Sequence, residues 1–268
     1  MKILTTGHRS GFGRHLYEKF GGLGLDVDTP EQAWDDFHKA DLDVLVHCAF
    51  NHERNLTTER LAAYLRDNVE LTRRLLAVPH PKFVFISSID VYPKNSTIHT
   101  EHEPIPLDQV TGIYAITKLI SEALVREHSS RHLILRCSAF LGTHTRPNTL
   151  LKILESDSCQ VTVSPTSVFN YVRHDDVSDF IRLAVERDLT GTYNAVSAEN
   201  VTLADLVKRL GRHVRYGTFT YHAGQVSNAK IRAHAPAFAR GSWATVQKFT
   251  TEDLVVSPAE NPGRSGKK

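Results

Sequence analysis

Tyr114 and Lys118, in the stretch "YAITK", stand four residues apart. On a helix that spacing puts both side chains on one face, one turn apart. Such pairs also arise by accident on helical surfaces, so the weight of this one depends on what else the chain carries. A phenol is a poor proton carrier at its ordinary pKa of about 10, and a neighbouring ammonium favours the phenolate and lowers that value. The pair therefore suits chemistry in which a proton is given to, or taken from, an alcohol or ketone while hydride moves. Upstream, "FVFISSIDVY" (83–92) offers Ser87 and Ser88 at the end of an apolar run. Strand alternation puts the two on opposite faces. A hydroxyl at the carboxyl end of a strand lies where ligands of open α/β sheets bind, and one of the two would hold a reacting oxygen there.

A second constellation opens the chain. "TTGHRSGFGRHL" (5–16) joins a first apolar run to a first helical one. Gly7 permits a tight turn, Gly11 lets backbone approach a pyrophosphate, and Gly13 permits close helix–sheet packing. The helix that follows turns free N–H groups and a positive dipole end toward Ser10, Gly11 and Phe12, which suits a phosphate. A glycine cluster alone is weak, but its position between the first strand and the first helix is the context such a site requires. Asp26 and Asp28 are the candidates for holding ribose hydroxyls, although they lie closer to Gly13 than the usual spacing. Arg9 could instead pair with a 2′-phosphate through its planar fork. The sequence thus allows NAD or NADP and leans to NADP.

These groups need a scaffold. Short apolar runs at 2–7, 43–50, 82–89 and 132–140 alternate with amphipathic stretches at 13–20, 30–40, 57–78 and from near Tyr114 to Glu127. Near-continuous apolar strands separated by helices predict an α/β fold with a doubly wound parallel sheet, and "LGLDVDT" (23–29) predicts a short strand or extended segment. Beyond residue 142 the alternation weakens, with helices expected at 175–186 and 202–211 and a strand at 191–196. The expected layout is a dinucleotide-binding core over 1–142, a small C-terminal substrate-binding annex over 143–255 interleaved with it, and a disordered tail over 256–268.

Composition limits the alternatives. Of 268 residues 41% are apolar and 23% charged, and the formal charge is +2. Neither nucleic acid nor a membrane surface is an expected partner, and no apolar stretch reaches a membrane span. "MKILTTG" runs straight into a strand with no signal peptide, so a cytoplasmic location is expected. The fifteen histidines are scattered; His128 and His132 have the spacing of a ligand pair but no third ligand beside them, so no metal is expected. Cys48 and Cys137 fall in apolar runs and read as reduced core thiols.

Taken in order, these pieces resemble the extended short-chain dehydrogenase/reductases, also called the NAD-dependent epimerase/dehydratase family, from about residue 2 to about 211. "TGHRSGFG" resembles the glycine loop, with the spacing of the family's shorter relatives. "DVLVHCAF" resembles the strand abutting the cofactor, with Ala49 at the contact position, and "RDNVELT" carries the asparagine, Asn68, that braces the sheet centre. "FISSIDVY" resembles the strand of the catalytic hydroxyl, which selects Ser88 over Ser87. "YAITK" matches Y-x-x-x-K, and "ILRCSAFLG", "YVRHDDVSDFI" and "GTYNAVSAENVTLADLV" resemble later segments. The resemblance implies that Ser88, Tyr114 and Lys118 are catalytic, that Lys118 also holds the nicotinamide ribose, and that a dimer forms through the helix after "YAITK" and the one at 57–78.

Departures narrow the reaction. Dehydratases of the family carry two acids after the hydroxyl; here the positions are Ile89 and Asp90. The acid that would protonate a leaving hydroxyl is missing, which disfavours a 4,6-dehydratase and leaves Asp90 as a substrate contact. Asn170 falls where the family's nucleotide-sugar enzymes contact substrate phosphates, and Arg146, Arg173 and Lys230 are the basic residues placed for a diphosphate. His99 and His102 lie in the loop where substrate would approach. The expected function is reduction of a keto group on a nucleotide-linked sugar. The alternatives are an epimerase with tightly held NAD and a non-catalytic dinucleotide-binding regulator.

Overall fold

The computed structural model describes residues 1–53 and 56–254. The expected tail over 256–268 lies outside the described residues. Six strands form the main sheet: β1 (Ile3–Thr6), β2 (Leu23–Leu25), β3 (Val44–His47), β4 (Phe83–Ser88), β5 (His132–Cys137) and, later in the chain, β8 (Gly191–Ala195). Their spatial order is β8-β5-β4-β3-β1-β2 and every pairing is parallel. Two of the short strands between β5 and β8, here β6 (Ala139–Leu141) and β7 (Tyr171–Arg173), pair in parallel beside the sheet. The chain reverses direction across the sheet between β1 and β3, and the crevice outside their carboxyl ends is where such sheets take ligands.

Side-chain alternation covers the sheet on both faces. Ile3, Val44, Val84 and Leu133 pack under Phe12 and Leu16 of α1 (Gly11–Phe20) and Phe180 of α7 (His174–Glu186). Leu4, Leu45, Phe83 and Ile134 meet the opposite helices: α2 (Ala33–Lys39) through Trp34 and Phe37, α4 (Leu71–Leu76) through Leu75, and α5 (Ile113–His128) through Val125. A third cluster, including Leu141, Leu150, Ile153, Leu206 and Phe249, forms the annex core around α6 (Thr149–Leu154) and α8 (Leu203–Leu210). None of the helices is long and apolar enough to cross a membrane, among the described residues.

Three elements differ from the sequence reading. The extended segment expected at 23–29 ends at Leu25, because Asp26 turns the chain by accepting from its own neighbour Val27 N and donating its N–H to Thr29 Oγ1. β2 is the edge of the main sheet, with no strand outside it among the described residues. The helix expected at 57–78 is α3 (Thr58–Leu65) and α4 joined by a π turn, Arg66–Glu70. That turn buries Asn68. Its carbonyl accepts from Thr72 Oγ1 (2.8 Å) and Ser121 Oγ (3.2 Å), while its side-chain oxygen accepts from Asn51 N (2.7 Å). The run at 132–140 breaks at Ser138, whose N–H goes to Ala195 O while that of Ala139 goes to Asn170 O, so the chain leaves the sheet for the β6–β7 ladder.

Candidate active site

A cavity of about 360 Å³ opens at the carboxyl ends of β1, β3, β4 and β5. Gly7, Ser10, Gly11, Phe12 and Gly13 line one end, and Ser88, Asp90, Tyr114 and Lys118 line the other. The glycine loop is built as its residues require. Gly7 and Gly11 have φ of +70° and +56°, conformations that side chains with a Cβ resist. A Cβ on Gly13 would stand 2.3 Å from Gly7 O, so no larger residue fits there. Gly7 also backs onto Ala49, whose N–H donates to Thr6 Oγ1. Ala49 is thus a support for the loop, and its neighbours Cys48 and Phe50 face the cavity.

Ser88 ends β4, and its oxygen accepts from Asp90 N at 3.1 Å. That leaves its own hydrogen to donate, and it faces Tyr114 closely enough to draw the phenol pKa back down. Ser87 points the other way and donates to Glu122 Oε1 at 2.6 Å, as strand alternation required. Tyr114 starts α5 with its ring edge-on to Phe50 (5.2 Å) and stacked beside His52 (6.1 Å). Lys118, one turn on, donates to Ile86 O at 2.7 Å, and its ammonium lies 3.8 Å from the centre of the Phe50 ring.

The electrostatics depart from the sequence argument. The Tyr114 phenol is pushed up, first by burial and then by the charge of Asp90; the Ser88 hydrogen bond opposes this only in part. Burial lowers the Lys118 ammonium to about 7. Proximity in sequence predicted a phenol depressed by its lysine, whereas here desolvation acts on both groups and each favours its neutral form.

Other expected residues fall differently. Arg9 does not stand open to a phosphate: its guanidinium donates to Asp28 at 2.5 Å, and its N–H donates to Asp26 Oδ2 at 3.2 Å. Asp26 stands at the carboxyl end of β2, beside the glycine loop. Asp90 lines the cavity, accepting from Lys94 Nζ (2.8 Å) and Tyr221 OH (3.3 Å). Asn170 is buried away from it, because its amide is consumed by Ser197 and Asn200 in bracing a loop. Arg173 is tied to Asp175, Glu252 and Asp253, and Lys230 to Thr192 O. Of the three basic residues placed for a diphosphate, only Arg146 reaches the cavity. His99 is stacked on Tyr92 and bonded to Pro93 O and Asn95. His102 lines a separate groove beside α5. All three cysteines are unpaired.

Family comparison decides what this arrangement belongs to. The model of the NAD-dependent epimerase/dehydratase family matches residues 3–196. The chain belongs to that family. It is an enzyme of the short-chain dehydrogenase/reductase type. No curated protein matches it, but solved structures of the family share its fold. A UDP-glucuronic acid 4-epimerase from Bacillus cereus, solved with a substrate analogue and NAD, aligns with a TM-score of 0.72 at 19% identity, over 92% of this chain and 99% of that one. A dTDP-4-dehydrorhamnose reductase from Clostridium acetobutylicum gives 0.75 at 17%, over 96% and 100%. An NAD-dependent NDP-hexosamine 5,6-dehydratase of tunicamycin biosynthesis gives 0.74 at 20%, over 95% and 99%. Three different reactions are thus named on one fold, and the family membership leaves the reaction of this member to its own residues.

The residues present fit a dinucleotide. Ser10 takes the cap position of α1 without a side-chain cap bond, and the first turn carries no acid, so the helix end is left for an anion. Sequence reasoning missed Phe50, Ser138 and Tyr221 on the cavity wall. Phe50 directly follows the expected contact Ala49 and was within reach of the motif. Tyr221 lies in a stretch with no pattern, and only the fold brings it to Asp90.

Proposed function

We propose that this protein is an NAD-dependent oxidoreductase that reduces a keto group on a nucleotide-linked sugar or a similar hydroxy/keto substrate. The observation that carries the reading is the meeting of Ser88, Tyr114 and Lys118 in one cavity with an uncapped glycine-loop helix. Gly7, Ser10, Gly11, Phe12 and Gly13 would hold the diphosphate, Asp26 the adenine ribose, and Lys118 the other ribose. When bound, the nicotinamide supplies or accepts the hydride. Ser88, whose hydrogen faces Tyr114, would turn it to the substrate oxygen and orient that oxygen. Tyr114 gives that oxygen its proton, and a phenol pushed upward in pKa is still protonated and able to donate at neutral pH. Phe50 packs its ring over the Lys118 amine, beside the place of transfer. Asp90, with Lys94 and Tyr221 on it, faces the substrate side.

NAD is favoured over NADP by the ribose end of the loop. A 2′-phosphate there would meet Asp26 and Asp28, and Arg9 is already engaged by Asp28. The same geometry serves an epimerase, where hydride leaves and returns on one cofactor, and the structural likeness to the 4-epimerase keeps that as the second reading.

The deciding experiment follows NADH absorbance with 4-keto sugar nucleotides. Wild type should consume NADH, and Tyr114→Phe should lose about 10²- to 10⁴-fold in kcat while binding NADH unchanged. Turnover without added cofactor, by protein that already contains NAD, would establish the epimerase. Neither turnover nor a cofactor-dependent thermal shift would remove both readings.

A further inference from the structure

Arg146 lies in the loop between β6 and α6 and lines the cavity. Its chain bends back over the glycine loop. A Cβ on Gly11 would stand 3.3 Å from Arg146 Nε, and Arg146 Nη2 donates to Ser10 Oγ at 3.0 Å. Ser10 is the cap residue of α1, yet its hydroxyl is turned to Arg146 and leaves the helix end uncapped. Among the described residues no carboxylate pairs with Arg146. The two other cations that sequence offered for a diphosphate are consumed, Arg173 by three acids and Lys230 by a carbonyl and the Tyr193 ring. A guanidinium without an anion, held by a hydroxyl over an open helix terminus, is half of a charge-assisted site whose other half is an oxyanion.

We propose that Arg146 is the second jaw of a diphosphate clamp, closing on the diphosphate of the dinucleotide against the N-terminus of α1. The proposal rests on the dinucleotide reading above and adds a binding residue to it. It also assigns Arg146 to the cofactor, not to the diphosphate of a sugar nucleotide, because its contacts are to Ser10 and Gly11 and none reaches Asp90 or Tyr221. Ser10 serves as its resting partner and gives it up when oxyanions arrive.

The test measures equilibrium binding of NADH, ADP-ribose and UDP to the full-length wild type and to Arg146→Gln and Arg146→Lys. Arg146 is exposed, so the variants should melt as wild type does without ligand. In Arg146→Gln the Kd for NADH and for ADP-ribose should both rise about tenfold to a hundredfold, the loss expected for a hydrogen bond to a charged partner. Kd for UDP should stay within about twofold of wild type by the same accounting. Arg146→Lys should recover part of the loss, since it keeps the charge but not the fork. NADH and ADP-ribose binding at wild-type strength in Arg146→Gln would overturn the proposal, and so would a loss confined to UDP. If wild type itself binds neither NADH nor ADP-ribose, the dinucleotide reading falls first and takes this proposal with it.

Discussion

Lys118 holds its amine where a charge is costly: the residue is 3% exposed and lies against Phe50 and Phe85. Burial brings its pKa down to about 7, with the unfolded chain near the ordinary 10.5. Between those values the unfolded state binds more protons, so stability rises with pH there; the penalty is full below pH 7 and gone above 10.5. Replacing Lys118 by Met removes that slope. Denaturant titrations of the cofactor-free protein should therefore show the Met variant gaining most at pH 6. Its advantage over wild type should shrink by about 2 kcal/mol between pH 7 and pH 9. A constant difference would mean that the ammonium is solvated and the buried geometry wrong. At this scale the sequence was informative where chemistry is local. Ser88, Tyr114 and Lys118 come together because a strand end and one helical turn dictate it. The direction of the Tyr114 shift was not legible, since it depends on burial and on Asp90, which reach it through the fold.

Behind these residues, β4, α5 and β5 are joined by one buried ion pair. Glu122 is fully buried and accepts from Arg136 Nε and Nη2 (3.0 and 2.7 Å), Arg126 Nη2 (2.5 Å) and Ser87 Oγ (2.6 Å). Arg136 also donates to Tyr92 OH, which in turn donates to Asn194 on β8. The lattice fixes how α5 lies on the sheet, and so where Tyr114 points. Glu122→Gln leaves the Arg136 charge buried without its partner and should cost about 3–5 kcal/mol. Replacing the pair together, as Glu122→Leu with Arg136→Met, should recover most of that loss. Chemical denaturation of the two variants checks it, and equal losses in both would show that packing, not charge, is at stake. Element types were legible in the sequence because both sheet faces are covered and the strands read as apolar runs. The π turn at Arg66–Glu70 was not, since its 57–78 stretch keeps helical periodicity through the break. Its cause is tertiary: hydroxyls of Thr72 and Ser121 compete for the Asn68 carbonyl.

The whole molecule is less divisible than the boundary near residue 142 suggests. The 143–255 stretch returns to the core twice, as α7 and as β8. β8 pairs with β5 at the sheet edge, and α7 lays Val177, Phe180 and Ile181 on the strands under α1. The first four strands and the cofactor loop were legible as a unit because each motif is local to one strand–helix step; the return of the later chain is a property of the closed sheet and leaves little periodic trace. A fragment of residues 1–142 keeps the glycine loop and the Ser88, Tyr114 and Lys118 set but loses Arg146 from the cavity wall and those three α7 side chains from the core, the latter worth about 5–9 kcal/mol at 1.5–3 kcal/mol each. That is most of the 5–15 kcal/mol by which a domain is stable. It also leaves β5 as a long apolar edge open to pairing with other chains. The fragment should therefore show no cooperative thermal transition, bind no NADH and aggregate, while a chain of residues 1–254 melts in one step that NADH shifts upward. A fragment that unfolds cooperatively and binds NADH would mean that the first 142 residues form a domain of their own and that α7 and β8 merely decorate it.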